Sequence, residues 1–181
     1  MPFNRCFAFE TQDMERRVSN AHYRVGELPF IKIENRLKAE TLSLSNLNNL
    51  MGLVLALWED CSFEEEWENY KRVIGLEDEI CYLIKEKEEY IAFVHLSIRH
   101  DYVEGSDDAP VAYIEAIYVK PEYRQKGIAK SLIVMAENWA KQKGLTQIAS
   151  DTEIGNTASI DFHIKVGFEE AGRIVCFIKA L

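Results

Sequence analysis

The stretch Val111 to Val119, VAYIEAIYV, allows the chain few folds. Extended, it places Val111, Tyr113, Glu115, Ile117 and Val119 on one face and Ala112, Ile114, Ala116 and Tyr118 on the other, because side chains alternate along a strand. Both faces are apolar, which predicts a strand in the middle of a covered sheet rather than one with a wet side. Glu115 is its one charge. A carboxylate is costly to bury unpaired, so Glu115 is expected to be hydrogen-bonded, ion-paired or at the mouth of a cavity. It is either a residue at a solvent-open point of the strand or a functional carboxylate facing a cleft.

The strand runs into Lys120 to Ala129, KPEYRQKGIA. Pro121 ends it, and Gly127 marks a backbone conformation, or a closeness of approach, that a side chain would forbid. From Ala129 the apolar residues Leu132, Ile133, Ala136, Trp139 and Ala140 recur at helical spacing. That helix is expected to close between Lys141 and Gly144, where lysines meet the negative end of the dipole and glycine supplies the cap. Its N-terminus follows Arg124 and Lys126 and presents backbone amides, so the junction is an anion site. Neither G-x-x-x-x-G-K-[ST] nor G-x-G-x-x-G occurs, which argues against nucleoside triphosphates and dinucleotides.

With 181 residues and 48% hydrophobic content the chain can bury one core. The net charge of −9 argues against non-specific nucleic-acid binding and suits a polycationic ligand. Cys6, Cys61, Cys81 and Cys176 show neither metal-like nor paired spacing and read as reduced thiols, with no metal site. No run approaches a membrane span and the N-terminus lacks the order of a signal peptide, so the expected location is cytoplasmic, away from membranes.

The hexapeptide Arg124-Gln125-Lys126-Gly127-Ile128-Ala129, between a strand and a long helix, resembles the acetyl-CoA pyrophosphate loop of the GNAT acyltransferase superfamily. "IYVKPEYR" before it, and Asn156, "DFHIKVGF" and a last strand after it, stand where that superfamily has them. "LSIRHDYVEG", "APVAYIEAIYVKPEYRQKGIAKSLI", "IASDT" and "KVGFEEAGRIVCF" further resemble aminoglycoside 6'-N-acetyltransferases of the chromosomal enterobacterial and Acinetobacter type, from about Ala39 to the C-terminus. The resemblance implies an α/β (α+β) GNAT fold: a central mixed, mostly antiparallel sheet flanked by helices, with the acetyl-CoA loop at a strand-to-helix junction. It implies an acetyltransferase domain over 37–181 and leaves 1–36 as an N-terminal extension of unknown role: packing element, dimer arm or tail.

Along the chain, Ala39 to Ser43 reads as a first strand. Ser45 is expected to cap a helix whose Leu47, Leu50, Met51, Val54, Leu55 and Trp58 form one stripe. A second helix, Ser62 to about Val73, is expected to turn Phe63, Trp67 and Tyr70 inward and to leave Glu64, Glu65, Glu66 and Glu68 as a solvated face. Ile80–Lys85 and Tyr90–His100 form a strand pair about Glu86–Glu89. Leu145–Ser150 is a further strand, Thr157–Lys165 a short helix, and Arg173–Ala180 a final strand.

From the residues alone, Trp58 reads as core, Tyr102 as an ordinary loop tyrosine and Asp151 as a turn cap. The resemblance makes Trp58, Tyr102, Glu115 and Asp151 substrate contacts and assigns catalysis to Glu115, Tyr102 and Asp151. It assigns the cofactor to Ile117, Tyr118, Val119, Gln125, Lys126, Gly127, Ile128, Ala129, Lys130 and Asn156, with an oxyanion-binding amide near Val119. Glu115, with a pKa expected to be raised by burial, suits a general base, directly or through a water. Three positions depart from the pattern: His163 replaces a tyrosine that many GNAT enzymes use as the thiolate's acid, and Cys61 and Gly172 replace a histidine and a glutamate.

The function expected is transfer of acetyl from acetyl-CoA to the 6'-amine of an aminoglycoside, hence resistance, by a homodimer as the family suggests. The alternatives are acetylation of another small polyamine or metabolite amine, and an acyl-CoA-binding module without turnover.

Overall fold

The computed structural model describes residues 37–107 and 109–180, so the expected N-terminal extension lies outside the described residues. Among these the chain forms β1 (Leu37–Thr41), α1 (Leu47–Leu57), α2 (Phe63–Val73), β2 (Glu79–Glu86), β3 (Glu89–Arg99), β4 (Val111–Val119), α3 (Ile128–Gln142), β5 (Ile148–Ser150) and α4 (Thr157–Lys165). The strands make one sheet in the order β1-β2-β3-β4-β5, with every pair antiparallel except β4–β5. This is the mixed, mostly antiparallel sheet that the resemblance implies. None of the described helices is long and apolar enough to cross a membrane.

Both faces of the sheet are covered, as the all-apolar β4 demands. Leu132, Ile133, Ala136 and Trp139 of α3 pack against Ala112, Ile114, Ile117 and Val119 on one side. Leu50, Met51 and Val54 of α1, with Tyr70 and Val73 of α2, pack against Phe93, Ala116 and Tyr118 on the other. Each large aliphatic side chain buried this way contributes about 1.5–3 kcal/mol.

The strict alternation expected along β4 does not hold. The register pairs His95 with Ala116 and Leu96 with Ile114, which leaves Glu115 as an extra residue on β4. A bulge of this kind reverses the phase of the strand. Ile114 and Ile117 therefore enter the same core although they are three apart, and Ala116 joins the opposite one. Periodicity within β4 could not announce this, because the extra residue is defined only by the strand across from it.

Other boundaries shift for local reasons. Asn46, not Ser45, stands at the N-cap of α1; its Oδ1 accepts from Ser43 N at 2.8 Å and its Nδ2 donates to the Thr41 carbonyl at 3.1 Å, so it fastens the turn and does not cap the helix. Ser62 does cap α2, accepting from Glu65 N at 3.4 Å. The inward stripe of α2 is Glu66, Tyr70 and Val73, while Phe63 is 42% exposed. Tyr70 sets that phase: it meets Phe93 edge-on at 6.3 Å and His95 at 5.2 Å. Glu66 is buried with it and leaves the expected solvated face.

The expected final strand, Arg173–Ala180, is absent: 168–180 carries no regular structure. Its apolar residues Ile174, Val175, Phe177 and Ile178 are 74%, 77%, 92% and 101% exposed. A strand is stabilised by a neighbour's ladder, and this stretch pairs with no other described strand. Just before it the chain crosses the 101–110 loop so closely that a Cβ on Gly105 would stand 2.2 Å from the Ala171 Cβ.

Candidate active site

The bulge turns Glu115 toward the end of β3. There Ser97 and Arg99 continue the face that carries Phe93 and His95. Ser97 Oγ donates to Glu115 Oε1 at 2.5 Å, Arg99 Nε donates to the same oxygen at 3.0 Å, and Arg99 Nη2 donates to Oε2 at 2.8 Å. The carboxylate is thus hydrogen-bonded and ion-paired, two of the arrangements expected for it, with a guanidinium held against both oxygens. Burial works against the charge of Arg99, but its hydrogen bonds to Glu115 and the charge of that carboxylate outweigh this and raise its pKa.

The guanidinium carbon also sits 3.2 Å from the centroid of the Tyr113 ring. Burial, then the charge of Asp151, pushes the Tyr113 phenol up, and a hydrogen bond to Asp151 adds to this. Asp151, at the end of β5, also acts on Arg99 through its charge. Two of the residues singled out in the sequence, Glu115 and Asp151, are thus brought together through two that were not, Arg99 and Tyr113. The signal for Arg99 and Ser97 was present: in LSIR, polar residues alternate with apolar ones on an otherwise apolar strand.

At this point the sheet opens. β5 pairs with β4 only at Ala112–Ile148, Tyr113–Ala149 and Ile114–Ser150. From Glu115 to Val119 the outer edge of β4 has no strand partner among the described residues, and Ile117, Tyr118 and Val119 lie along that edge. Beyond it, Pro121–Tyr123 makes a single 3-10 turn, and Arg124 folds back to donate Nε to the Val119 carbonyl at 3.0 Å. Gln125 and Gly127 both take left-handed backbone, at φ 61° and 79°. Gly127 stands at the N-cap of α3 and no side chain caps that end. The first helical bond runs from Ser131 N to Gly127 O at 3.0 Å, so the amides of Ile128, Ala129 and Lys130 precede the ladder. This turn and helix start fall where the sequence places the expected anion site. A Cβ on Gly127 would meet nothing within 4 Å, so the turn, not crowding, requires glycine there.

The remaining residues are more dispersed. Asn156 caps α4, its Oδ1 accepting from Ser159 N at 3.1 Å. Trp58, at the C-cap of α1, packs partly buried against the core that holds Tyr118. Tyr102 is 78% exposed and donates its hydroxyl to Glu104 at 2.8 Å, which raises its pKa; no contact joins it to Glu115 or Asp151. A Cβ on Gly172 would lie 3.5 Å from Glu104 Cγ, so a carboxylate from the loop already stands beside that position.

His163 is not a surface residue. Its Nδ1 donates to the Ser159 carbonyl at 2.7 Å, so its Nε2, 3.1 Å from Ser150 Oγ, is the acceptor. Burial holds its pKa below the ordinary 6.5. As pH falls through 6.5, the unfolded chain takes up a proton that folded His163 resists, so stability is present above that pH and is lost on acidification. The melting temperature should therefore fall between pH 7 and 5, and His163→Gln should flatten the fall; equal slopes would show that His163 does not contribute.

Among the described residues no group of three or more His, Cys, Asp or Glu could hold a metal ion.

Residues 44–168 match the profile of the Acetyltransferase (GNAT) family. Aminoglycoside N(6')-acetyltransferase type 1 of Serratia marcescens is 34% identical over 137 residues, covering 75% of this chain and 94% of its own length. The protein of the same name from Acinetobacter baumannii is 36% identical over 139 residues, with 76% and 94% covered. Among solved structures, AAC(6')-Iy in complex with the bisubstrate analogue CoA-S-monomethyl-acetylneamine superposes with a TM-score of 0.77 at 32% identity, covering 80% of this chain and 99% of that one. AAC(6')-Ih from Acinetobacter baumannii gives 0.76 at 34% identity, with 80% and 99% covered. With a split sheet, an uncapped glycine-led helix and these relatives, the chain belongs to the Acetyltransferase (GNAT) family.

Proposed function

We propose that this chain transfers the acetyl group of acetyl-CoA to the 6'-amine of aminoglycosides and so confers resistance to them. The observation that carries the reading is Glu115: a bulged carboxylate at the point where β4 and β5 part, with Asp151 close by. The related aminoglycoside N(6')-acetyltransferases supply the substrate class.

In this reading the amides of Gln125 to Lys130 receive the pyrophosphate, helped by the positive end of α3. The open edge at Ile117, Tyr118 and Val119, together with Asn156, receives the pantetheine arm. The acceptor nitrogen bonds to the thioester carbonyl carbon, whose oxygen draws on a backbone amide near Val119. The C–S bond then breaks, the amine proton passes to Glu115 directly or through a water, and the thiolate takes up a proton. Asp151, Tyr102 and Trp58 hold the sugar that carries the amine, so that the nitrogen reaches the carbonyl at the right angle.

The reading places the protein in the cytoplasm, where acetyl-CoA is available, and makes it a homodimer. Supporting a dimer is the exposed apolar run Ile174, Val175, Phe177 and Ile178, which a second copy would cover. Scattering in solution should give twice the chain mass, and deletion of 173–181 should lower it to one; a full-length monomer would refute the dimer.

The test of function is thiol release from acetyl-CoA with kanamycin, tobramycin, paromomycin and spermidine. Turnover with kanamycin and tobramycin, which carry a 6'-amine, but not with paromomycin, which has a hydroxyl there, is the expected result. Turnover confined to spermidine would favour the second reading, a polyamine or metabolite-amine acetyltransferase, to which Cys61 and Gly172 lend weight by thinning the polar rim. No turnover at all would favour the module that binds acyl-CoA without reaction.

A further inference from the structure

Arg99 has no role in the chemistry described so far, yet it is the cation at the centre of the site. Its side chain is 30% exposed and that of Glu115 14%, so water reaches the pair without screening it fully. An ionised carboxylate offers roughly four lone-pair positions. Ser97 and Arg99 occupy three on Glu115: two on Oε1 and one on Oε2. One remains, on Oε2. The guanidinium is itself fixed from a third side by the Tyr113 ring.

We propose that Arg99 is a positioning residue that also limits the charge of the acceptor site. It locks the Glu115 carboxylate so that a single acceptor position, on Oε2, stays open for the incoming amine or its water. It also cancels one of the two negative charges that Glu115 and Asp151 would otherwise present to a polycationic substrate. This deepens the acetyltransferase reading and rests on it.

The two effects pull in opposite directions on kcat/KM. Without Arg99 the carboxylate turns freely, so the reactive geometry is populated less and kcat falls. The full charge of two carboxylates then faces the ammonium groups, so the substrate binds more tightly and KM falls too. A guanidinium that served only to hold β3 to β4 would not produce this pairing of changes; its loss would lower the melting temperature and raise KM or leave it unchanged.

The experiment is steady-state kinetics of Arg99→Ala and Arg99→Lys with acetyl-CoA and tobramycin, with and without guanidinium ion, alongside thermal melts. For Arg99→Ala, kcat is expected to fall about 30- to 100-fold and KM for tobramycin about three- to tenfold, with added guanidinium restoring kcat at least about tenfold. Arg99→Lys keeps the charge and loses the two-point contact, so kcat should fall about tenfold with KM unchanged. The proposal is overturned by an Arg99→Ala enzyme whose kcat stays within threefold of wild type, whose KM rises, or whose loss guanidinium does not restore. If Arg99→Ala does not fold, Arg99→Lys decides: a kcat within threefold of wild type overturns the proposal, and the tenfold fall supports it. A wild type that acetylates spermidine and no aminoglycoside sinks the substrate reading alone, and the variants are then compared on spermidine. A wild type without any turnover sinks both.

Discussion

Glu115→Gln is expected to lower turnover by about 10²- to 10⁴-fold while leaving the affinity for acetyl-CoA unchanged. The amide is nearly isosteric, so it can still accept from Ser97 Oγ and from one nitrogen of Arg99. It cannot take up the amine proton, and it offers Arg99 a dipole in place of a charge. The hydrogen bonds lost or weakened cost about 1–3 kcal/mol of stability, which a folded domain of this size tolerates. Thiol release measured against tobramycin, with titration calorimetry for acetyl-CoA, separates the two roles. The acetyl-CoA affinity should be preserved because the proposed pyrophosphate site lies at the far end of β4, at the start of α3. A variant that keeps more than a tenth of wild-type kcat would remove Glu115 from the chemistry and leave it a structural partner of Arg99.

Gly127→Val should act at the opposite end of the site, on cofactor binding. The residue holds φ 79°, where a side chain costs about 1–2 kcal/mol and a β-branched one is the least tolerated. Beyond its immediate chain neighbours, no atom of the described residues lies within 4 Å of the would-be Cβ, so the protein should fold. The valine would instead relax the turn out of the left-handed region, swinging the amides of Ile128, Ala129 and Lys130 away from a common point and placing methyl groups where a phosphate approaches. The Kd for acetyl-CoA should rise by about 100-fold or more, near 3 kcal/mol. Gly127→Ala, with the same φ penalty and less bulk, should give a smaller rise. Equal and near-wild-type affinities for both variants would show that the pyrophosphate does not sit at this helix.

Much of the scaffold was legible because it is encoded locally. The apolar spacing of α3, the glycine before it and the run of α4 from Thr157 to Lys165 need no distant partner to be read. The interior position of β4 follows from its composition alone. The residue types of the site were legible as well, since a lone glutamate on an apolar strand and an aspartate at a strand end each ask for an explanation. Tyr102 shows the limit of that logic. It was linked to Glu115 through family likeness, and in the fold it stands exposed on its loop, bonded to Glu104.

Three features escaped for one shared reason. The Glu115 bulge, the inward phase of α2 and the unpaired Arg173–Ala180 stretch each depend on a partner far away in the chain: the register of β3, the rings of Phe93 and His95, and a sheet edge that no described strand supplies. A period of two or 3.6 records which residues share a face, but it carries no information about what that face will meet. The sequence by itself therefore determined the class of fold, the glycine-led junction of β4 and α3, and the presence of a half-buried carboxylate. Tertiary structure alone decided that the carboxylate would be extruded by one extra residue, turned toward the end of β3 and seized at both oxygens by Arg99, at the level where β5 leaves β4. That decision belongs to strand pairing, in which the hydrogen bonds of two distant segments, and not the preferences of either, set where each side chain points.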